Sequence, residues 1–272
     1  MKKSWIPAAV VCFTAFTFVA CKKNASTTTQ NEEISQATLA QIKDLGFATS
    51  NVVKVDDGYL VEGDIVLSDE LLNSTPDQSL LRIADNEQYR TTNLVKSLPR
   101  TITISVTGLG SAYIQGADLA ISRYNALGLQ IQFQRITSGK ADINIAGFNQ
   151  PPSGGYITLG SSGFPTRSGD PYSRIKMNTN QYAYGTNPDV KYVGSVIQHE
   201  LGHCIGFRHT DYMNRSYSCG GSAVNEGASN VGAIHIPGTP TGPDANSWML
   251  ACSNGGDRSF NNNDKSALNY LY

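Results

Sequence analysis

The stretch HELGHCIGFRH, residues 199–209, constrains this chain more than any other feature, because it holds three of the four histidines in 272 residues. His199 and His203 are four positions apart, so on a helix they lie on one face, one turn from each other. That spacing allows two imidazoles to bind one metal ion. The apolar residues before the motif extend the same helix. The fold must therefore contain a helix with a metal-binding face.

Gly206 and His209 extend this metal-binding pattern. Glycine takes positive φ readily and ends helices, so the chain can turn back and bring His209 to the same metal from another direction. Three neutral histidines leave a Zn²⁺ ion with one open position, where the pKa of a water is lowered to about 7. Glu200 is close enough to take a proton from that water. We therefore expect a catalytic site for one Zn²⁺, since a closed structural site needs a fourth ligand that the motif lacks.

The pattern HExxHxxGxxH identifies the metzincin metallopeptidases, and this chain matches all of its fixed positions. The run Ile-Gly-Phe-x-His resembles the astacin branch, and the C-terminal region resembles bacterial dual-action HEIGH metallopeptidases and myroilysin. The resemblance implies a zinc endopeptidase that acts on protein or peptide substrates. It also implies a Met-turn beneath the zinc, for which Met249 in SWML is the candidate.

Two departures from the astacin pattern are visible. Astacins place a glutamate directly after the third histidine, where this chain has Thr210 followed by Asp211; Asp211 is a candidate substitute for that glutamate. Astacins also have a zinc-binding tyrosine two residues after the Met-turn methionine, where this chain has Ala251. Tyr212 and Tyr217 are the candidates for a replacement ligand.

A second match to astacin precursors lies far upstream, in VEGDIVL, residues 61–67. It resembles the Phe-x-Gly-Asp segment whose aspartate blocks the zinc, with Val61 in place of Phe. Asp64 is thus the predicted latency switch, since a carboxylate binds zinc well, and Gly63 would let the backbone pass close to the cleft. A plain Gly-Asp turn between two strands is the alternative. Cys21 competes for the switch role because thiolates also bind zinc.

The N-terminus has the pattern of a secretory signal peptide, residues 1–20, with Lys2 and Lys3 before a short apolar run. The run is shorter than the about 20 residues that span a bilayer, and no later segment approaches that length. Cys21 stands where bacterial lipoproteins carry lipid, and ordinary cleavage nearby is the alternative. We expect a secreted, extracellular protein or an outer-surface lipoprotein.

Export makes disulfides permissible, and we expect a bond between two of Cys204, Cys219 and Cys252, with the pairing left open. The charge is balanced, with 21 basic and 22 acidic residues, which argues against nucleic acid as the main partner. No feature of the sequence indicates an oligomeric state.

Strand and helix patterns alternate from residue 101 onward and predict an α/β or α+β fold with one mixed, twisted sheet. This order also matches the metzincin plan, with a C-terminal helix that Asn263 or Asp264 would cap. We assign residues 91–272 to the catalytic domain and residues 21–90 to a propeptide whose end lies between 80 and 100. A helical spacing at 34–45, ended by Gly46, falls in the propeptide.

A substrate polypeptide would add as a strand to an exposed sheet edge. The stretch YITLGSSGF, with Thr158, Leu159 and Gly160, is the predicted edge, although a surface strand without a ligand is nearly as good an interpretation. Two other functions remain open. One is a surface lipoprotein that binds a ligand and uses zinc structurally, and the other is a zinc hydrolase of cell-wall peptides.

Overall fold

The structure is a computed structural model, and it describes residues 1, 34–73, 88–222, 225, 233–240 and 242–272. The predicted signal peptide beyond Met1, the lipidation site Cys21 and the connector residues 74–87 lie outside the described residues. The contacts divide the chain into Met1–Asn31 and Glu32–Tyr272, and all of the helices and strands below lie in the second unit.

The N-terminal region, residues 34–73, forms a small layer with its own apolar core. Its elements are α1 (Gln36–Asp44), β1 (Val53–Val55), β2 (Gly58–Val61), β3 (Ile65–Leu67) and α2 (Asp69–Leu72). The three strands pair antiparallel in the order β1-β2-β3. Buried side chains of this layer, Phe47 among them, pack with Phe164 from beyond residue 88, so the predicted propeptide packs against the predicted catalytic domain.

The remaining elements are β4 (Tyr89–Arg90), β5 (Arg100–Thr107), α3 (Ser111–Asn125), β6 (Ile131–Arg135), β7 (Ile143–Phe148), β8 (Gly160–Ser161), β9 (Arg174–Asn178), α4 (Gln181–Tyr184), α5 (Val190–Ile205), α6 (Ser216–Cys219), β10 (Ile234–His235) and α7 (Asn262–Leu271). The main sheet has the order β6-β5-β7-β9-β8. Its first four strands are parallel, and β8 pairs antiparallel to β9 at the edge. The predicted α/β fold with a mixed sheet is confirmed.

Helices α3 and α5 pack on the sheet and touch each other through glycines. A β-carbon on Gly116 would lie 3.0 Å from the backbone nitrogen of Gly194 and 2.9 Å from a methyl group of Val193. Glycine at these positions therefore allows the two helices to approach closely. All residues of α5 from Val193 to Ile205 are buried, and the helix that carries the histidines is thus fixed in the core.

Two predicted element boundaries need correction. Of YITLGSSGF, only Gly160–Ser161 forms a strand, because only these two residues pair with β9. The C-terminal helix is capped by Asn261 instead of Asn263 or Asp264. The Asn261 side chain accepts from the Asp264 backbone N–H, and the Asp264 carboxylate accepts from the Asn261 N–H, which places Asp264 at the third helical position.

The predicted disulfide joins Cys219 to Cys252, with the sulfurs 2.08 Å apart, and Cys204 is buried with a free thiol in α5. The bond ties α6 to the loop that follows Met249. Within the described ranges, no helix is long and apolar enough to cross a bilayer.

Candidate metal centre

Helix α5 presents two histidines, and the turn at its end returns the third. Gly206 has φ 110°, in the left-handed region, and its N–H donates to the His203 carbonyl. A β-carbon there would lie 2.7 Å from Leu94 Cδ2 and 3.0 Å from the Asn93 carbonyl oxygen. Glycine is thus needed both for the turn and for space, and the turn brings His209 beside the helix.

The three Nε2 atoms converge on one point. His203 Nε2 lies 3.1 Å from His199 Nε2 and 3.2 Å from His209 Nε2. Two ligands about 2.05 Å from a zinc ion at the tetrahedral angle are about 3.3 Å apart. The spacing of the three nitrogens therefore fits one tetrahedral zinc ion.

Backbone carbonyls fix the tautomers of two of these rings. His199 Nδ1 lies 2.9 Å from the Trp248 carbonyl oxygen, and His203 Nδ1 lies 2.8 Å from that of Phe207. Because a carbonyl only accepts, each Nδ1 carries the proton. Burial, together with the neighbouring His199 and His209, holds the pKa of His203 well below its usual value, so that ring is neutral. With its proton on Nδ1, the neutral His203 ring offers its Nε2 lone pair toward the centre of the cluster, where a cation would bind it.

Asp64 lies at the fourth corner of the cluster. Its Oδ2 is 3.0 Å from His209 Nε2 and 3.5 Å from His199 Nε2, while Oδ1 is buried without a hydrogen-bond partner in the described part of the chain. Burial acts to raise the pKa of Asp64, but the neighbouring His209 and the polar contacts with the His199 and His209 rings hold it well below its usual value. Ligand atoms from Asp64 and the three histidines all lie within 4.8 Å of one another. The chain thus offers a fourth ligand that the motif alone lacks.

The turn between β2 and β3 delivers Asp64. Glu62 and Gly63 both have positive φ, 56° and 93°. The nearest atom to a β-carbon on Gly63 would be 3.9 Å away, an ordinary contact. The prediction that Gly63 allows a close backbone approach is therefore wrong, and its role is the left-handed conformation. Asp64 is at once part of a turn between two strands and part of the cluster, so the two interpretations of VEGD are compatible.

Residues 63–66 also lie along the predicted substrate edge. The Ser162 N–H donates to the Asp64 carbonyl at 2.9 Å, and the Val66 N–H donates to the Ser162 carbonyl at 2.6 Å. Thr158 Oγ1 donates to the Gly63 carbonyl at 2.9 Å. The edge formed by β8 and its flanking residues is therefore paired by the chain's own N-terminal region.

Glu200 is held beside the cluster by the same edge. Ser162 Oγ donates to Glu200 Oε2 at 2.7 Å, and a β-carbon on Gly160 would lie 2.8 Å from Glu200 Oε1. Glycine at 160 therefore leaves room for this carboxylate. Burial and the nearby Asp64 carboxylate raise the pKa of Glu200.

Met249, the candidate for the Met-turn, packs against helix α5 at Gly202, directly before His203. Its side chain is fully buried, and a β-carbon on Gly202 would lie 2.7 Å from its sulfur. The Thr210 N–H donates to the Met249 carbonyl at 2.9 Å, and the preceding residue, Trp248, supplies the carbonyl that orients His199. The turn at Trp248 and Met249 therefore contacts His199 directly and contacts Thr210, the residue after His209.

The residues considered as replacements for astacin side chains have other partners. Asp211 accepts from the Ala251 N–H at 2.9 Å and from Ser218 Oγ at 2.5 Å, which joins the Met249 turn to the disulfide loop. Tyr212 packs edge-on against Tyr89, with ring centroids 4.4 Å apart. The Tyr217 hydroxyl donates to the Pro243 carbonyl.

Comparison with known proteins decides the family. The sequence model of the family described as dual-action HEIGH metallo-peptidase matches residues 59–272. The chain belongs to this family. It is therefore a zinc metalloendopeptidase, in which HEIGH reads HELGH with Leu201 in place of isoleucine. The match begins within the predicted propeptide and includes Asp64.

Solved structures show a weaker likeness. A crystal structure of myroilysin is 13% identical, with 72% of this chain and 98% of that chain covered and a TM-score of 0.43. A hatching-enzyme zinc-protease of the medaka fish Oryzias latipes, high choriolytic enzyme 1, is 15% identical, with 63% and 88% covered and a TM-score of 0.36. No curated protein matches the chain.

Several residues that lie near the metal centre of this HEIGH peptidase were not predicted from the sequence. Ser162 binds Glu200 across the sheet edge, and neither residue type nor spacing indicates that contact. Arg208 and Glu62 form a buried pair beside the cluster, with Nη2 and Oε2 3.9 Å apart. Arginine and glutamate are both normally exposed, so the residue types do not indicate this pair.

Proposed function

We propose that this peptidase is an exported zinc endopeptidase made as a latent precursor. One Zn²⁺ would be held by His199, His203 and His209, with Asp64 as the fourth ligand in the precursor. The observation that carries the proposal is the convergence of three histidine nitrogens and one carboxylate, with Asp64 Oδ2 3.0 Å from His209 Nε2. Three nitrogens and one oxygen are a ligand set that zinc accepts readily.

Glu200 acts as general base and acid in this proposal. Bound zinc lowers the pKa of a coordinated water to about 7 and polarises the carbonyl of a scissile peptide bond. Glu200 accepts the proton of the attacking water and passes it to the leaving amine. Ser162 orients the Glu200 carboxylate through its hydrogen bond. Met249 and the Trp248 carbonyl keep the histidines in place.

The precursor is latent because residues 63–66 fill two places at once. Asp64 takes the position that water needs, and the backbone of residues 63–66 pairs with the edge that a substrate would use. Cleavage between about residues 80 and 100, followed by release of residues 34–73, would open both places.

Cys21 is the alternative blocking ligand, and zinc-edge X-ray absorption of the intact precursor separates the two. Asp64 gives an all nitrogen and oxygen shell at about 2.0–2.2 Å, whereas a thiolate adds a scatterer at about 2.3 Å. A Cys21→Ser precursor serves as the matched sample, and its spectrum should equal that of the wild type. A sulfur shell that disappears in Cys21→Ser would contradict the role of Asp64.

Glu200→Gln is the variant that tests the catalytic proposal. We expect the matured variant to retain about one zinc per chain and to lose casein hydrolysis by several orders of magnitude. Glu70→Gln, at an exposed position in α2, is the matched control during production and maturation. Full activity of Glu200→Gln would overturn the mechanism.

Two competing functions predict different results. A binding lipoprotein with a structural zinc would bind zinc and hydrolyse neither casein nor peptides. A cell-wall hydrolase would cleave peptidoglycan peptides in preference to casein, so both substrates belong in the assay. Mass spectrometry of the exported protein would reveal its first residue and any lipid on Cys21, which tests secretion against anchoring.

A further inference from the structure

Phe164 joins the apolar core of the N-terminal region to the metal cluster. Among the described residues, every other buried member of that core lies between residues 42 and 72. The Phe164 ring stacks on the Phe47 ring, with centroids 6.4 Å apart, and meets the His203 ring edge-on at 5.6 Å. Phe164 therefore lies between the N-terminal region and one of the three histidines.

Phe164 also follows the sheet edge at which a substrate strand would add. Ser162, two residues earlier, donates its N–H to the Asp64 carbonyl and accepts from the Val66 N–H. Ile65 lies opposite Ser162 in this pairing, and its side chain is fully buried in the core that contains Phe164. Asp64 and Ile65 thus occupy adjoining places, one at the metal cluster and the other in the core beside the sheet edge.

A cavity of about 990 Å³ adjoins Phe164 at the boundary between the two regions. Phe164 and Tyr172 line it on one side, and Val66 lines it on the side of the N-terminal region. Charged residues line it as well, among them Arg100 and Asp170, which pair with each other at 3.0 Å. The surface beside Phe164 is therefore concave and has room for a large side chain.

We propose, on the basis of the proposed function, that Phe164 determines specificity by forming the floor of a subsite for a large apolar side chain of the substrate. Ile65 and Phe47 fill this place in the precursor, and release of residues 34–73 would uncover the Phe164 ring. Because the same ring contacts His203, the subsite takes a residue close to the scissile bond. The substrate class is therefore polypeptides with leucine, isoleucine or phenylalanine near the bond that is cleaved.

The chemistry of the Phe164 ring favours an apolar side chain over a polar one. A leucine that enters the subsite leaves water and covers the ring again, so apolar surface is buried on both partners. Asparagine has the same branching and nearly the same size, but its amide would lose hydrogen bonds to water that the ring does not replace. Leucine and asparagine therefore form a matched pair that isolates the apolar contact.

The first test uses the matured wild-type enzyme and matched peptides. Peptides with leucine or asparagine at each of three positions on either side of the scissile bond are compared by kcat/KM. We expect at least about a tenfold preference for leucine at one position, the effect of burying one large apolar side chain. Equal rates for every pair would overturn the proposal.

The second test assigns that preference to Phe164. Phe164→Ala should lower the preference for leucine several-fold at the same position, whereas Phe164→Leu should keep most of it. Tyr270→Ala, which removes a 56% exposed aromatic side chain from α7, is the control and should leave the preference unchanged. The preference is a ratio of two rates with one enzyme sample, so a variant that merely binds less zinc through its contact with His203 does not alter it.

An unchanged preference in Phe164→Ala would contradict the role of Phe164. If Phe164→Ala binds no zinc, Phe164→Val takes its place with a smaller expected loss, and an unchanged preference there is equally contradictory. An enzyme that hydrolyses peptides without preferring leucine refutes this inference alone. A chain that binds zinc but hydrolyses no peptide refutes the proposed function too.

Discussion

Gly202→Ala should lower both the stability of the protein and its affinity for zinc. In helix α5, a β-carbon at this position would overlap the Trp248 ring and lie 2.7 Å from Met249 Sδ. Met249 is 0% exposed and Trp248 is 2% exposed, so both side chains have little room to move. Overpacking of this kind costs about 1–3 kcal/mol. Alanine regains about 1 kcal/mol of helix propensity over glycine, which leaves a net loss of up to about 2 kcal/mol.

The same substitution should weaken metal binding, because the displaced turn carries the contacts that orient two histidines. The Trp248 carbonyl holds His199, and the Met249 carbonyl binds the residue after His209. Changes to such supporting groups lower metal affinity by about 10–100-fold. Zinc competition against a fluorescent chelator measures the affinity, and chemical unfolding of the metal-free protein measures the stability.

Gly242→Ala is the control for Gly202→Ala. Gly242 is exposed, and a β-carbon there would meet no atom within 4 Å. We expect its stability and zinc affinity to stay near the wild-type values. If Gly202→Ala were as stable as the wild type and bound zinc equally well, the Met249 turn would not support the site as described.

Three further predictions concern the disulfide, a buried acid and the Glu200 carboxylate. The disulfide between Cys219 and Cys252 closes a loop of 33 positions. Its removal by Cys219→Ser, or by reduction of the wild type, should lower the free energy of unfolding by about 3–4 kcal/mol. No loss of stability under either condition would contradict the pairing. Burial raises the pKa of Asp264 to about 7. The folded state therefore binds the proton more tightly than the unfolded chain, and the stability of the metal-free protein should fall as pH rises from about 4 to 7, by up to about 1.4 kcal/mol per unit. Urea unfolding at several pH values should show this fall in the wild type and a flatter profile in Asp264→Asn; equal slopes would refute it. A β-carbon introduced by Gly160→Ala would lie 2.8 Å from Glu200 Oε1, so this variant should reduce kcat more than it raises KM. An unchanged kcat in steady-state kinetics would show that Gly160 does not determine the position of the Glu200 carboxylate.

Local patterns in the sequence predicted the centre of the site well. Helix α5, its end at Gly206 and the convergence of the histidines follow from spacing and from the conformational freedom of glycine. The alternation of strands and helices predicted from residue 101 onward is present from β5 to α7. A disulfide among three cysteines was predicted, but the choice of Cys219 and Cys252 depends on how loops meet in space, which spacing does not encode.

The parts that sequence did not reveal depend on contacts between distant segments. Asp64 and His209 are separated by 145 positions, and only a family resemblance indicated that they meet. The short strand at Gly160–Ser161 owes its pairing to β9 and not to its own propensity. The Arg208–Glu62 pair joins two residue types that are normally exposed, so burial patterns alone would have placed both on the surface.

Hydrolysis by the intact Asp64→Asn chain tests the central claim most directly. The initial rate on a fluorogenic casein is measured before any cleavage of the chain is visible on a gel, with zinc content determined in parallel. The wild-type precursor should be nearly inactive. Asp64→Asn should show a rate above the wild type but below that of the matured enzyme, because an amide is a much weaker zinc ligand than a carboxylate while residues 63–66 still pair with the sheet edge. Adding Glu200→Gln to Asp64→Asn should remove that activity. An intact Asp64→Asn chain that binds zinc and stays as inactive as the wild type would contradict the account.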